Sequence, residues 1–95
     1  MNTLLPESSI HLKFCLYLSV QVQANSSAIQ AIEELKKLGY VVELEIVDVS
    51  MDPERAEVDR IIATPTLSKL QPEPMRRVMG DMSNIPLLLQ LLQIS

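Results

Sequence analysis

From residue 10 to residue 18 the chain sets a large apolar side chain at every second position: Ile10, Leu12, Phe14, Leu16 and Leu18. A strand presents such a series on one face, because its side chains alternate from side to side. Residues 40–49 repeat the pattern, with Val42, Leu44 and Ile46 on one side and Glu43 and Glu45 on the other. Between the two lies a stretch in which Ala28, Ile29, Ile32, Leu35 and Leu38 recur at helical spacing. Two strands joined by so long a crossover form a right-handed parallel βαβ unit. The helix has N-cap candidates in Asn25, Ser26 and Ser27, a Ser27–Gln30 capping box, a Glu33–Lys37 pair and a stop at Gly39.

The first strand also carries Cys15 and Tyr17 on its second face, which predicts a central strand covered on both sides. Glu43 and Glu45 suit the second strand to a sheet edge, where charge discourages stray pairing. Asp52 caps a short helix with Pro53 in its first turn, and Met51 is placed to staple onto it. Val58, Ile61 and Ile62 are expected to form its buried stripe, with Glu54, Arg55, Glu57, Asp59 and Arg60 facing solvent. Residues 63–70 read as a strand entered through Pro65. Gln71-Pro72-Glu73-Pro74 reads as a turn, and residues 75–79 as the returning hairpin strand. Ser83 or Asn84 then caps a last helix, unbroken over residues 87–94, whose wide apolar face holds Leu87, Leu88, Leu91, Leu92 and Ile94.

The order is βαβαββα, an α/β chain in which a parallel unit and an antiparallel unit share one sheet. That is the thioredoxin-like arrangement, and Thr64-Pro65-Thr66 stands where that fold keeps a cis peptide. The redox pair expected after the first strand is missing; Val20-Gln21-Val22-Gln23-Ala24 stands there instead. Residues 1–9 read as a disordered tail and residues 10–95 as a single domain, the most that 95 residues supply. A net charge of −4 argues against nucleic acid or an anionic membrane as partner. One Cys and one His make neither an internal disulfide nor a zinc site, and two glycines make no phosphate-cradling loop. No cofactor or metal is expected. The first residues lack the marks of a signal peptide, and no apolar run is long enough to span a membrane, so the expected location is the cytoplasm.

Four segments together carry a resemblance: Ile46-Val47-Asp48-Val49; Asp52-Pro53; Ile61-Ile62-Ala63-Thr64-Pro65-Thr66-Leu67-Ser68-Lys69; and Arg76-Arg77-Val78-Met79-Gly80-Asp81-Met82-Ser83-Asn84. At this spacing they resemble the KaiB family of circadian-clock proteins. The sensor domain of the clock-output histidine kinase shares the fold, but the motif spelling here is closer to KaiB. The resemblance implies a non-catalytic protein that docks on the KaiC ring ATPase, a hexamer, and modulates its phosphorylation rhythm. It places the contact on the second helix, at Asp52, Glu54, Arg55, Glu57 and Arg60. It also implies fold switching, with a thioredoxin-like binding form and a ground-state form, usually tetrameric. Pro65, Pro72, Pro74, Leu91 and Gln93 are the positions concerned. Leu91 and Gln93 replace the family's glycine and aspartate, both poor helix formers, so a monomeric thioredoxin-like resting state with cis Pro65 is expected. Three departures stand out. Val20 replaces a glycine, Glu73 interrupts a proline run, and Glu45 replaces a lysine on the second strand. The last reverses a charge at the edge where KaiA would be captured, so weak or absent capture is expected.

Cys15, among apolar neighbours with no adjacent cation at strand or helical spacing, reads as a buried structural residue rather than a redox sensor. His11 reads as a strand surface residue. The acidic cluster of Asp48, Asp52, Glu54, Glu57 and Asp59 lacks the spacing of a calcium loop and reads as a solvated helix face, with a partner surface as the second choice. Arg76 and Arg77 point to opposite faces of a strand. The leucine-rich end is either the cover of the sheet or an oligomer interface, and a small sheet needs cover. The alternative function is a thioredoxin-like protein with a stress or redox role outside any clock, which would need a reactive Cys15.

Overall fold

The computed structural model describes residues 10–19 and 25–94. The tail reading over residues 1–9 and the segment containing Val20 lie outside them. Seven elements follow one another: β1 (His11–Leu18), α1 (Asn25–Lys37), β2 (Val41–Asp48), α2 (Pro53–Val58), β3 (Thr66–Gln71), β4 (Arg76–Met79) and α3 (Ile85–Leu91). The strands form one sheet in the order β2-β1-β3-β4. β1 runs parallel to β2 and antiparallel to β3, and β4 returns antiparallel along β3. The βαβαββα order and the thioredoxin-like layout thus hold.

One face of the sheet carries the main core. Leu12, Phe14, Leu16 and Leu67 meet Ala28, Ala31, Ile32 and Leu35 of α1 and Leu88 of α3, all buried. This is the alternation of β1 meeting the helical period of α1, each hiding its apolar side from water. The other face holds a smaller cluster of Cys15, Tyr17 and Val47, edged by Val49, Ile61 and Leu70. β1 is therefore covered on both sides.

Several local expectations are corrected. Ser27 lies inside α1 instead of capping it, and its Oγ accepts a hydrogen bond from the Met82 amide at 3.0 Å, tying α1 to the approach to α3. The exposed ion pairs of α1 run i to i+3, Glu33–Lys36 and Glu34–Lys37, not Glu33–Lys37. Asn84, not Ser83, caps α3, with its Oδ1 accepting from the Leu87 amide. Met51 is 81% exposed and staples nothing. Val58 and Ile62 form no buried stripe: they are 76% and 83% exposed. α2 stops after six residues, Arg60 turns left-handed at φ 58°, and Ile61 alone folds back onto the sheet.

All three helices end in the same way. The amide three residues past the last helical residue reaches back to close the final turn: Tyr40 to the Leu35 carbonyl, Ile61 to Ala56 and Ile94 to Leu89. Such a turn needs one left-handed residue and favours glycine there. α1 supplies Gly39, but α2 and α3 supply Arg60 and Gln93, the latter at φ 56°. Helix over residues 87–94 is thus corrected to Ile85–Leu91, with Gln93 beyond the last turn where helix propensity does not act. A side chain in this conformation costs about 1 kcal/mol, offset in part by the larger unfolded-state entropy of glycine. Gln93→Gly is expected to raise stability by about 0.5 kcal/mol, read as a higher urea midpoint with an unchanged slope.

Candidate functional site

α2 lies on the face of Cys15, Tyr17 and Val47 and buries none of its own residues. Two polar side chains one turn apart, Arg55 on α2 and Asp59 at its C-cap, reach down to the sheet. Arg55 donates from both terminal nitrogens to the two carboxylate oxygens of Glu45 on β2, each at 3.0 Å. Its Nε donates to Asp59 Oδ2 at 2.8 Å. The same Oδ2 accepts from the Tyr17 hydroxyl at 2.6 Å. Arg55 Nη2 also lies 3.9 Å from Cys15 Sγ.

The electrostatics follow. The Tyr17 hydroxyl bond, and then Arg55, hold the Asp59 carboxyl below the usual carboxylate range. Burial, and then the bond to Asp59, push the Tyr17 hydroxyl well above its ordinary value. Hydrogen bonds from Arg55 hold Glu45 low. Burial pushes the Cys15 thiol up despite the nearby guanidinium, so the thiolate is disfavoured. The absence of a cation beside Cys15 is thus corrected: Lys13 stands two residues earlier on the same strand face, and Arg55 arrives from forty residues away. Glu45 is corrected likewise: its charge is not bare on the strand edge but neutralised by a two-pronged guanidinium contact.

Two further cations reach the ends of helices. Arg77 on β4 donates to the backbone carbonyls of Asp59 and Arg60 at the close of α2. Lys69 on β3 is fully buried and donates to the Gln93 carbonyl at the close of α3 at 3.3 Å. Cations are favoured there because the last carbonyls of a helix carry partial negative charge. Burial lowers the Lys69 pKa, with Arg76 adding to the effect.

Asp52, Glu54, Glu57 and Arg60 stand exposed around α2, Asp52 as the cap whose Oδ1 accepts from the Arg55 amide. Arg55 departs from the solvent-facing expectation and turns inward, as does Asp59. Met51, Val58 and Ile62 lie exposed in the same segment, so an apolar and charged surface faces outward over a pinned base. The Thr64–Pro65 peptide is cis, as are Gln71–Pro72 and Glu73–Pro74. Pro65 is buried beside the start of β3, whereas Pro72 and Pro74 are exposed in the β3–β4 turn. Leu91 and Gln93 are not brought to α2: Leu91 lies on α3 and Gln93 just past its end, and α3 packs on the opposite face. Sequence reasoning missed Tyr17, Asp59, Arg77 and Lys69. The four-residue spacing of Arg55 and Asp59, and the shared strand face of Cys15 and Tyr17, were the available signals.

The network holds no exposed nucleophile, since Cys15 is fully buried. Among the described residues no group of three or more His, Cys, Asp or Glu is placed to hold a metal, and no helix is long and apolar enough to cross a membrane. What the arrangement does is fix the placement of a short helix that its own packing would leave loose.

A family model described as the KaiB domain matches residues 15–94. The "Circadian clock oscillator protein KaiB" of Prochlorococcus marinus (strain NATL2A) is 38% identical over 71 residues, 73% of this chain and 66% of that protein. Its namesake in Thermostichus vulcanus is 49% identical over 49 residues, 52% of this chain and 45% of that protein. The chain therefore spans between about half and two thirds of the length of these curated relatives. Among solved structures, the N-terminal domain of Synechococcus elongatus SasA matches with a TM-score of 0.68 at 20% identity, covering 100% of this chain and 96% of that one. Chloroplastic thioredoxin z matches with a TM-score of 0.63 at 16% identity, covering 90% and 80%. These two likenesses show the thioredoxin-like fold.

Proposed function

Because the chain belongs to the KaiB family, we propose that it acts without catalysis, as a clock-type protein that docks on a KaiC-like hexameric ATPase and modulates its phosphorylation rhythm. The observation that carries this reading is the outward surface of α2. A helix that buries none of its residues, yet is pinned by Arg55, Asp59 and Arg77, is built to be presented. Its exposed Met51, Val58 and Ile62 supply apolar anchors, and Asp52, Glu54, Glu57 and Arg60 supply a charged rim. Arg55 contributes by holding the helix, not by meeting the partner.

The resting state in this reading is the thioredoxin-like monomer, with the tetrameric ground-state fold as the minor form. Leu91 supports it from within α3, where it replaces the family's glycine. Pro65, Pro72 and Pro74 belong to the segment between α2 and β4 that would rearrange. Capture of a KaiA-type partner is weak in this reading, because the β2 edge offers a neutralised Glu45–Arg55 pair in place of the family's free lysine. A thiol-based role would need an accessible thiolate, which a buried Cys15 does not provide.

The test is binding to a KaiC-type hexamer from the same genome in the presence of ATP. Arg60→Glu is expected to weaken the complex about tenfold or more, and Lys37→Glu, exposed on α1, to leave it unchanged. Equal loss in both variants would remove Arg60 from the interface. Absence of any complex with the wild-type chain would remove the reading.

A further inference from the structure

α2 is too short to cover the whole of its face of the sheet. It shields Cys15, Tyr17 and Val47 and leaves the β3–β4 half open. Two adjoining depressions occupy that half and share Leu70 and Met75. The more enclosed one, about 410 Å³, is also lined by Tyr17, Asp59, Ser68, Arg76 and Arg77. That volume lies within the range of small-molecule sites, about 300–1,000 Å³.

The trough has two unlike ends. Leu70 and Met75 form an apolar wall, with Tyr17 lining the trough farther along, across from Thr66. At the other end stands Ser68, 3% exposed. Its Oγ is, among the described residues, the one buried side-chain nitrogen or oxygen without a hydrogen-bond partner. A hydroxyl left so is costly and marks a place where a polar group of a ligand would be favoured.

Charge decides which polar group. Arg76 pairs with Lys69 and Arg77 with Ser68, so of the two arginines it is Arg77 that shares the Ser68 face. Arg77 uses two N–H groups on the carbonyls of Asp59 and Arg60 and keeps three of its five. The acid nearby, Asp59, is already held by Arg55. The polar end is thus locally cationic on a chain of net charge −4, which suits an anion.

We propose that this trough binds a small monocarboxylic acid with an aromatic or branched apolar body. The carboxylate lies at the Ser68 and Arg77 end, accepting from the Ser68 hydroxyl and the Arg77 guanidinium, and the body lies against Leu70 and Met75. The site does not depend on ring-ATPase docking, and its occupant would brace the Arg77 contact that closes α2.

The experiment is an amide NMR titration of the full chain with phenylacetate, indoleacetate and isocaproate, each beside its neutral carboxamide. At least one acid is expected to give saturable shifts confined to Tyr17, Ser68, Leu70 and residues 75–77, with a Kd of about 1 mM or tighter. Its carboxamide is expected to bind about fivefold weaker or worse. Arg77→Gln is expected to lower affinity for the acid about fivefold with little change for the carboxamide, whereas Arg76→Gln, on the opposite strand face, is expected to change neither. Equal binding of acid and carboxamide, shifts scattered over the surface cations, or no saturation of any acid by about 10 mM would overturn the proposal.

Discussion

Asp59→Ala is expected to lower stability by about 2–4 kcal/mol in urea unfolding. The carboxylate accepts from the Tyr17 hydroxyl, on a residue only 3% exposed, and from Arg55 Nε. Its removal strands a buried donor and frees half of the grip on α2. Tyr17→Phe removes donor and demand together and is expected to cost only about 1 kcal/mol. The double variant should fall well short of the sum, because the second change removes the group that the first leaves unsatisfied. The pH dependence has a definite sign. Asp59 is depressed in the folded chain, so its contribution is full above the ordinary carboxylate range, about pH 4, and is lost as pH falls through the lower folded value. Asp59→Ala should therefore flatten the acid limb of the stability profile. Part of that limb should remain, since Glu45 and Asp48 are depressed too, by Arg55 and Ser50 respectively. An acid limb as steep in the variant as in the wild type would show that Asp59 does not carry it.

The second large effect lies on α3. Leu88→Ala and Leu92→Ala should each cost about 3 kcal/mol, because both side chains are buried in the core and truncation leaves a cavity. At this chain length that is on the order of 15 °C in the thermal midpoint. Leu87→Ala and Leu91→Ala, at side chains 46% and 49% exposed, should cost less than about 1 kcal/mol. This contrast of about threefold or more within six residues reads out the rotation of α3 against the sheet. Equal costs at all four positions would mean that the leucines are not divided between core and solvent as described.

The elements that the sequence revealed are those whose partners lie in regular local series. β1 and β2 were legible from alternation, α1 from its helical spacing, and the cap of α2 from Asp52-Pro53. What stayed hidden depends on reach across the fold. Asp59 and Tyr17 are forty-two residues apart, and nothing local told that the one would turn under α2 to meet the other. The apolar Val58 and Ile62 suggested a buried stripe because composition does not report where a helix stops; a left-handed Arg60 stops this one early. Lys69 was equally opaque. A lysine in a strand reads as a surface residue, and only the docking of α3 turns it into a buried donor. Of the candidate site, the exposed charges of α2 were legible and the network beneath them was not.

The two cations that close α2 and α3 have neighbouring origins. Lys69 and Arg77 sit on the paired strands β3 and β4, yet they grip helices on opposite faces of the sheet. The hairpin therefore acts as a common hinge pin for both layers. If the β3–β4 hairpin peels from β1, the far ends of α2 and α3 lose their anchors in one event, whereas α1 closes on its own glycine and docks against the β1–β2 half. In amide exchange the chain is expected to divide into a slow unit of β1, β2 and α1 and a faster unit of α2, the hairpin and α3. The boundary between them falls at the β1–β3 pairing, so the second half can open while the first keeps its protection.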